Sequence, residues 1–183
     1  RVHDQRGQPG AALQRPALQV EVLPWLPRQR IAQPAGRPVA WGNNPFGQTN
    51  TPTEVAADSA RAIGGGLAHS VLVDSKGEVR AWGTNDLRQT SIPEILTGVV
   101  ALASGAAHTL AVRADGTVVA WGDNQMGQTN VPPGLTGVVA VAAGYFHSVA
   151  LRADGSVVVW GDDSQGQTVL PEGMSDIVAI SAG

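Results

Sequence analysis

A fixed-period repeat constrains this chain more than any local pattern. Trp-Gly recurs at Trp41-Gly42, Trp82-Gly83, Trp121-Gly122 and Trp160-Gly161, in steps of 41, 39 and 39 residues. His69, His108 and His147 each precede the next tryptophan by 13 residues, and a Gln-Thr pair follows each of these four tryptophans by seven. The clearest copy runs from residue 144 to 171. Self-similarity at this spacing is the mark of stacked repeat units, and it outranks any single-segment reading.

Composition agrees with many short strands. Hydrophobic residues make up 43% of the 183 but aromatics only 4%, so the apolar mass is Val, Ala and Leu in short runs. A net charge of −3 gives no electrostatic reason to expect nucleic acid or an anionic membrane surface. No apolar run is long enough for a membrane span. The absence of cysteine excludes disulfides and thiolate metal sites.

Residues 1–35 lack the repeat and are rich in Pro, Arg and Gln. They are expected to form an irregular or flexible leader, with one edge strand near Leu18–Leu23, or a decayed earlier repeat. The repeats occupy 36–183. Arg37–Gly42 looks like the last strand of a unit. Three complete units follow, and Ile177–Gly183 looks like the first strand of another. Each full unit reads as three strands. Strand a is small and aliphatic, as in Val138–Ala142. Strand b begins at the histidine, and strand c runs into the tryptophan. Between b and c stand Ser75-Lys76-Gly77, Ala114-Asp115-Gly116 and Ala153-Asp154-Gly155, the chemistry of a type I turn closed by a left-handed glycine. The extra two residues of the first full unit must fall between Gln48 and Ala62, in the connection between units.

The expected fold is therefore all-β. Propeller blades of about 39 residues would form an open arc, with the Ala- and Gly-rich strand a nearest the axis. Strand c is apolar at consecutive positions, so both of its faces should be covered by neighbouring blades. Trp41, Trp82, Trp121 and Trp160 are assigned structural roles between blades. His69, His108 and His147 are assigned backbone-bonding roles at blade corners.

Gly144, His147-Ser148, Leu151, Asp154-Gly155, Trp160-Gly161 and Gly166-Gln167-Thr168, with their counterparts one repeat earlier, resemble the regulator of chromosome condensation repeat family. The short period is most similar to bacterial members, including the propeller-type β-lactamase inhibitor proteins. The resemblance implies a seven-bladed propeller of which this chain is a fragment. Three positions depart from the pattern. Arg88 stands where Gly47, Gly127 and Gly166 stand, putting the left-handed turn of that loop in question. Arg61 replaces Val100 and Val139, and Asp162-Asp163 replaces Asp123-Asn124.

No catalytic set emerges. Ser70 and Ser148 directly follow histidines, but adjacent strand residues face opposite ways and cannot pair as nucleophile and base. Equivalent histidines on separate blades cannot share one ion, and no cofactor or metal is expected. The informative positions are those where the repeat varies. The a–b loops hold Leu67-Ala68, Ala106-Ala107 and Tyr145-Phe146. The loops after strand c hold Pro45-Phe46, Asp86-Leu87, Gln125-Met126 and Ser164-Gln165. Alternating strand directions put both sets on one face, where Phe46, Leu87, Met126, Tyr145 and Phe146 form the expected protein-binding surface. The readings carried forward are a non-enzymatic interaction module, a guanine-nucleotide exchange factor, an inhibitor of a hydrolase such as a β-lactamase, and a structural segment of a bacterial surface protein. A secreted or cell-surface setting is favoured over the cytoplasm. Open blade edges are expected to promote self-association.

Overall fold

The computed structural model describes residues 38–53 and 60–183, and all regular structure among them is β. The leader and its edge strand lie outside the described residues. Among the described residues, nine strands form three antiparallel sheets of three. The first blade holds β1 (Ala60–Gly65), β2 (His69–Asp74) and β3 (Val79–Gly83). The second holds β4 (Val99–Ser104), β5 (His108–Arg113) and β6 (Val118–Gly122). The third holds β7 (Val138–Ala143), β8 (His147–Arg152) and β9 (Val157–Gly161).

The register repeats from blade to blade. His69, His108 and His147 lie opposite Gly83, Gly122 and Gly161, and the hydroxyl residue after each histidine lies opposite the tryptophan. Strand a carries an irregularity at its start in every blade, at Ala60/Ala62, Val99/Ala101 and Val138/Ala140. The b–c turns close as their sequence requires. Gly116 N–H donates to Arg113 O and Arg113 N–H to Thr117 O, each at 2.9 Å, with Gly116 at φ +79°. Asp115 Oδ1 takes the Thr117 hydroxyl and N–H, and these bonds hold its carboxyl below the usual range.

Blades meet through their strands a: β1 packs on β4 and β4 on β7, with β2 and β5 reaching the same neighbours. Strand a therefore lies along the converging edge. The period-2 alternation of strands b and c divides their side chains between two cores. In β5, Ala111 enters the first core while Leu110 and Val112 enter the second. In β6, Val119 and Trp121 face the first core, and Val118 and Ala120 face the second. A strand covered on both faces has no use for polar residues, which explains the unbroken apolar runs. Leu96 and Leu135, from the connections between blades, close the two cores.

Three expectations are corrected. Residues 38–42 and Ile177–Gly183 form no strand, because no partner strand completes a ladder for either among the described residues. Trp41 is not packed between blades: it is 84% exposed, whereas Trp121 and Trp160 are 6% and 8% exposed. Gly42, at φ +113°, nevertheless keeps the backbone of Gly83, Gly122 and Gly161, so the local conformation survives without the packing. Lastly, Arg88 retains the left-handed turn at φ +63°, against +75°, +77° and +74° for Gly47, Gly127 and Gly166. A side chain in that conformation costs about 1 kcal/mol. Arg88→Gly is accordingly expected to raise stability by about 1 kcal/mol, read as a higher urea midpoint at unchanged slope.

Candidate functional site on the loop face

The residues that define the repeat build a rigid frame for those that vary. After each strand c the glutamine side chain folds back on its own loop: Gln48, Gln89, Gln128 and Gln167 Oε1 accept the N–H of Phe46, Leu87, Met126 and Gln165 at 2.8–3.0 Å. Asn44, Asn85, Asn124 and Asp163 Oδ1 accept the threonine N–H of the same loops. The backbone of every variable pair is thus fixed two residues before the glutamine. In the last of the four loops, Ser164 and Gln167 donate to Asp162, holding its carboxyl below the ordinary range.

The loop after strand c is joined to the a–b loop of its own blade. Thr84, Asp123 and Asp162 donate their N–H to the carbonyls of Ala68, Ala107 and Phe146 at 2.8–3.0 Å. A Cβ on Gly83, Gly122 or Gly161 would strike those carbonyls, which is why glycine follows the tryptophan in all three blades. The two variable segments of a blade therefore lie side by side, while the Asp-Gly turns close the opposite end. Phe46 is 55% exposed, Leu87 40%, Met126 49% and Tyr145 51%. Phe146 is half-buried and meets Tyr145 edge to face, with ring centroids 4.5 Å apart. Leu67, from the first a–b loop, is also exposed on this face.

The tryptophans and histidines join blades. Trp82, Trp121 and Trp160 Nε1–H donate to the carbonyls of Gln48, Gln89 and Gln128 in the preceding unit, at 2.8, 3.1 and 2.9 Å. Instead of bonding to backbone at a corner, His69 Nε2 lies 3.1 Å from Thr109 Oγ1, and His108 Nε2 lies 3.1 Å from Ser148 Oγ. Each partner hydroxyl belongs to the next blade. The signal for this was in the sequence, since Ser70, Thr109 and Ser148 follow the three histidines without exception. His147 lies at the third corner, opposite Gly161.

The His108–Ser148 pair has two members of a nucleophile–base couple but the wrong proton arrangement. Ser148 spends its single proton on Gln128 O at 2.8 Å, so His108 must be the donor through Nε2–H. Both residues are fully buried, and His108 cannot deprotonate an oxygen to which it donates. Burial pushes His69 down to about 4. His108 is also about 4, from burial first and then the charge of His69. Their Nδ1 atoms have no partner among the described residues. The ring of each lies against a glycine, Gly66 or Gly105, where a Cβ would collide with it. No group of three or more metal-ligating side chains occurs among the described residues, and no helix there is long and apolar enough to cross a membrane.

Residues 99–128 and 138–167 match the family model of the Regulator of chromosome condensation (RCC1) repeat. These two stretches are similar to that repeat, and the fold of the described residues is a β-propeller arc. No curated protein matches by sequence. Among solved structures, Prp20p from Saccharomyces cerevisiae, studied for its binding to Gsp1p and histones, is 24% identical with a TM-score of 0.56, covering 65% of this chain and 34% of its own. Yeast RCC1 (Prp20) bound to Kap60 is 26% identical with a TM-score of 0.54, covering 64% and 33%. The ectodomain of the Physcomitrella patens receptor kinase CR4 is 24% identical with a TM-score of 0.64, covering 80% and 41%. The chain thus matches about a third to two-fifths of the length of these relatives.

Proposed function

We propose that this chain is a non-enzymatic protein-interaction module that binds its partner through the loop face carrying Phe46, Leu87, Met126, Tyr145 and Phe146. One observation carries the reading: large apolar side chains stand exposed on backbone that the repeat's own hydrogen bonds immobilise. Preorganised loops lose little conformational entropy on binding, and aromatic anchors of this kind dominate interface energetics. The relatives support the same class, since Prp20p is described with protein partners. Exchange activity on a GTPase and inhibition of a hydrolase are finer readings of the same surface. No observation favours either of them over general protein binding.

The double variant Tyr145→Ala, Phe146→Ala tests the proposal. It is expected to weaken capture of a partner by at least tenfold, the effect of losing one hot-spot pair, while its melting temperature stays within about 2 °C of the parent. Undiminished capture would refute the assignment of this face.

A further inference from the structure

The third blade departs from the shared loop frame at two adjoining places. One is the a–b pair, which is Leu67-Ala68 and Ala106-Ala107 in the earlier blades but Tyr145-Phe146 here. The other is the position held by Asn44, Asn85 and Asn124, which becomes Asp163. In the earlier loops this asparagine acts twice. Its Oδ1 accepts the threonine N–H, and its Nδ2 donates to Asn50, Ser91 or Asn130. Asp163 keeps the first bond, accepting Thr168 N–H at 3.1 Å, but it has no donor for the second, and Val169 stands where the acceptor stood. Its exposed Oδ2 accepts nothing from the described residues. An asparagine makes the same threonine bond in the other three loops, so that bond does not require a charge at this position.

The two departures meet. Asp162 N–H donates to Phe146 O at 3.0 Å, which brings the backbone of the aromatic pair alongside that of Asp162-Asp163. The Tyr145 and Phe146 rings cross at 73° with Tyr145 half-exposed, so the pair presents aromatic surface on the loop face. The loops after strand c in the three blades carry Asp86, Asp123, Asp162 and Asp163 against one cation, Arg88. A free carboxylate next to π faces in an acidic surround suits a cationic side chain. A guanidinium can pair with the carboxylate and stack on a ring at the same time.

We infer that the corner formed by Tyr145, Phe146 and Asp163 seats an arginine or lysine side chain of the partner protein. The inference rests on the loop face being the interaction surface, and it adds the chemistry that reaches one end of that face.

The test is a titration of the full chain with N-acetyl-arginine amide, followed by backbone amide NMR, with N-acetyl-citrulline amide as the uncharged isostere. Shifts confined to residues 144–147 and 161–168 are expected with arginine, at least threefold smaller in Asp163→Asn. That variant restores the residue of the other three loops and should keep the parent melting temperature. Equal shifts from citrulline, or an Asp163→Asn titration matching the parent, would overturn the inference. Calcium moving these amides while arginine does not would also overturn it. If Tyr145→Ala, Phe146→Ala loses partner capture and Asp163→Asn does not, the interaction face stands and the cation subsite falls.

Discussion

Lowering the pH from 7 to 4 is expected to remove about 6 kcal/mol of folding stability, most of what a typical domain possesses. The source is the pair His69 and His108, buried and neutral between blades, whose pKa values fall from 6.5 to about 4. Because the folded value lies below the unfolded one, the unfolded chain binds more protons between these limits. Stability is therefore full above about pH 7, falls as the pH drops through 6.5, and levels off for these groups below 4. Each histidine contributes about 3 kcal/mol over that window, at 1.36 kcal/mol per pH unit. The carboxyls of Asp115, Asp154 and Asp162, held low by Thr117, Ser156 and Ser164, lose their contribution only at lower pH and do not confuse the window. Urea unfolding at half-unit pH steps should show a slope approaching two protons. His108→Gln should reduce it to one. A flat profile from pH 7 to 4.5 would contradict the neutral, buried assignment.

The second large effect separates repeat position from environment. Trp121→Ala is expected to destabilise the chain by about 3–5 kcal/mol, because it empties the first inter-blade core and strips Gln89 O of its donor. Trp41→Ala, at the same point of the repeat, should change stability by less than about 0.5 kcal/mol, since the side chain lies in solvent. Thermal melts of the two variants, run side by side, provide the check. Similar losses from both would show that the repeat motif stabilises through its local turn and not through packing.

The blades were legible because period, turn chemistry and alternation agree. The 13-residue step from histidine to tryptophan sets a hairpin whose register leaves no room for insertion, and the structure reproduces it in all three blades. Apolar neighbours such as Val118-Val119 told of two covered faces, and two cores receive them. The ends were not legible. Residues 38–42 and 177–183 carry strand patterns, but a strand is completed by its partner, which pattern alone does not supply. Arg88 shows the converse, with neighbours fixing a left-handed turn against the residue's own preference. At the loop face, strand direction told that the variable pairs share one side, while the exposure of their side chains came only with the structure. The frame beneath them could not be anticipated, because it depends on glutamine and asparagine side chains folding onto their own backbone. The histidine bonds to the next blade are marked in the sequence only by the hydroxyl residue after each repeat histidine, which does not by itself say which histidine it meets. These bonds span 40 residues and need the blade-to-blade stacking before they can be seen.

The central claim is that residues shared by the repeats hold the blades while the varying loop pairs meet another protein. Amide hydrogen exchange of the chain, free and partner-bound, tests it most directly. Protection on binding should fall on residues 84–90, 123–128 and 144–147. Protection at the opposite turns, residues 74–78, 113–117 and 152–156, with none on the loop face, would contradict the account.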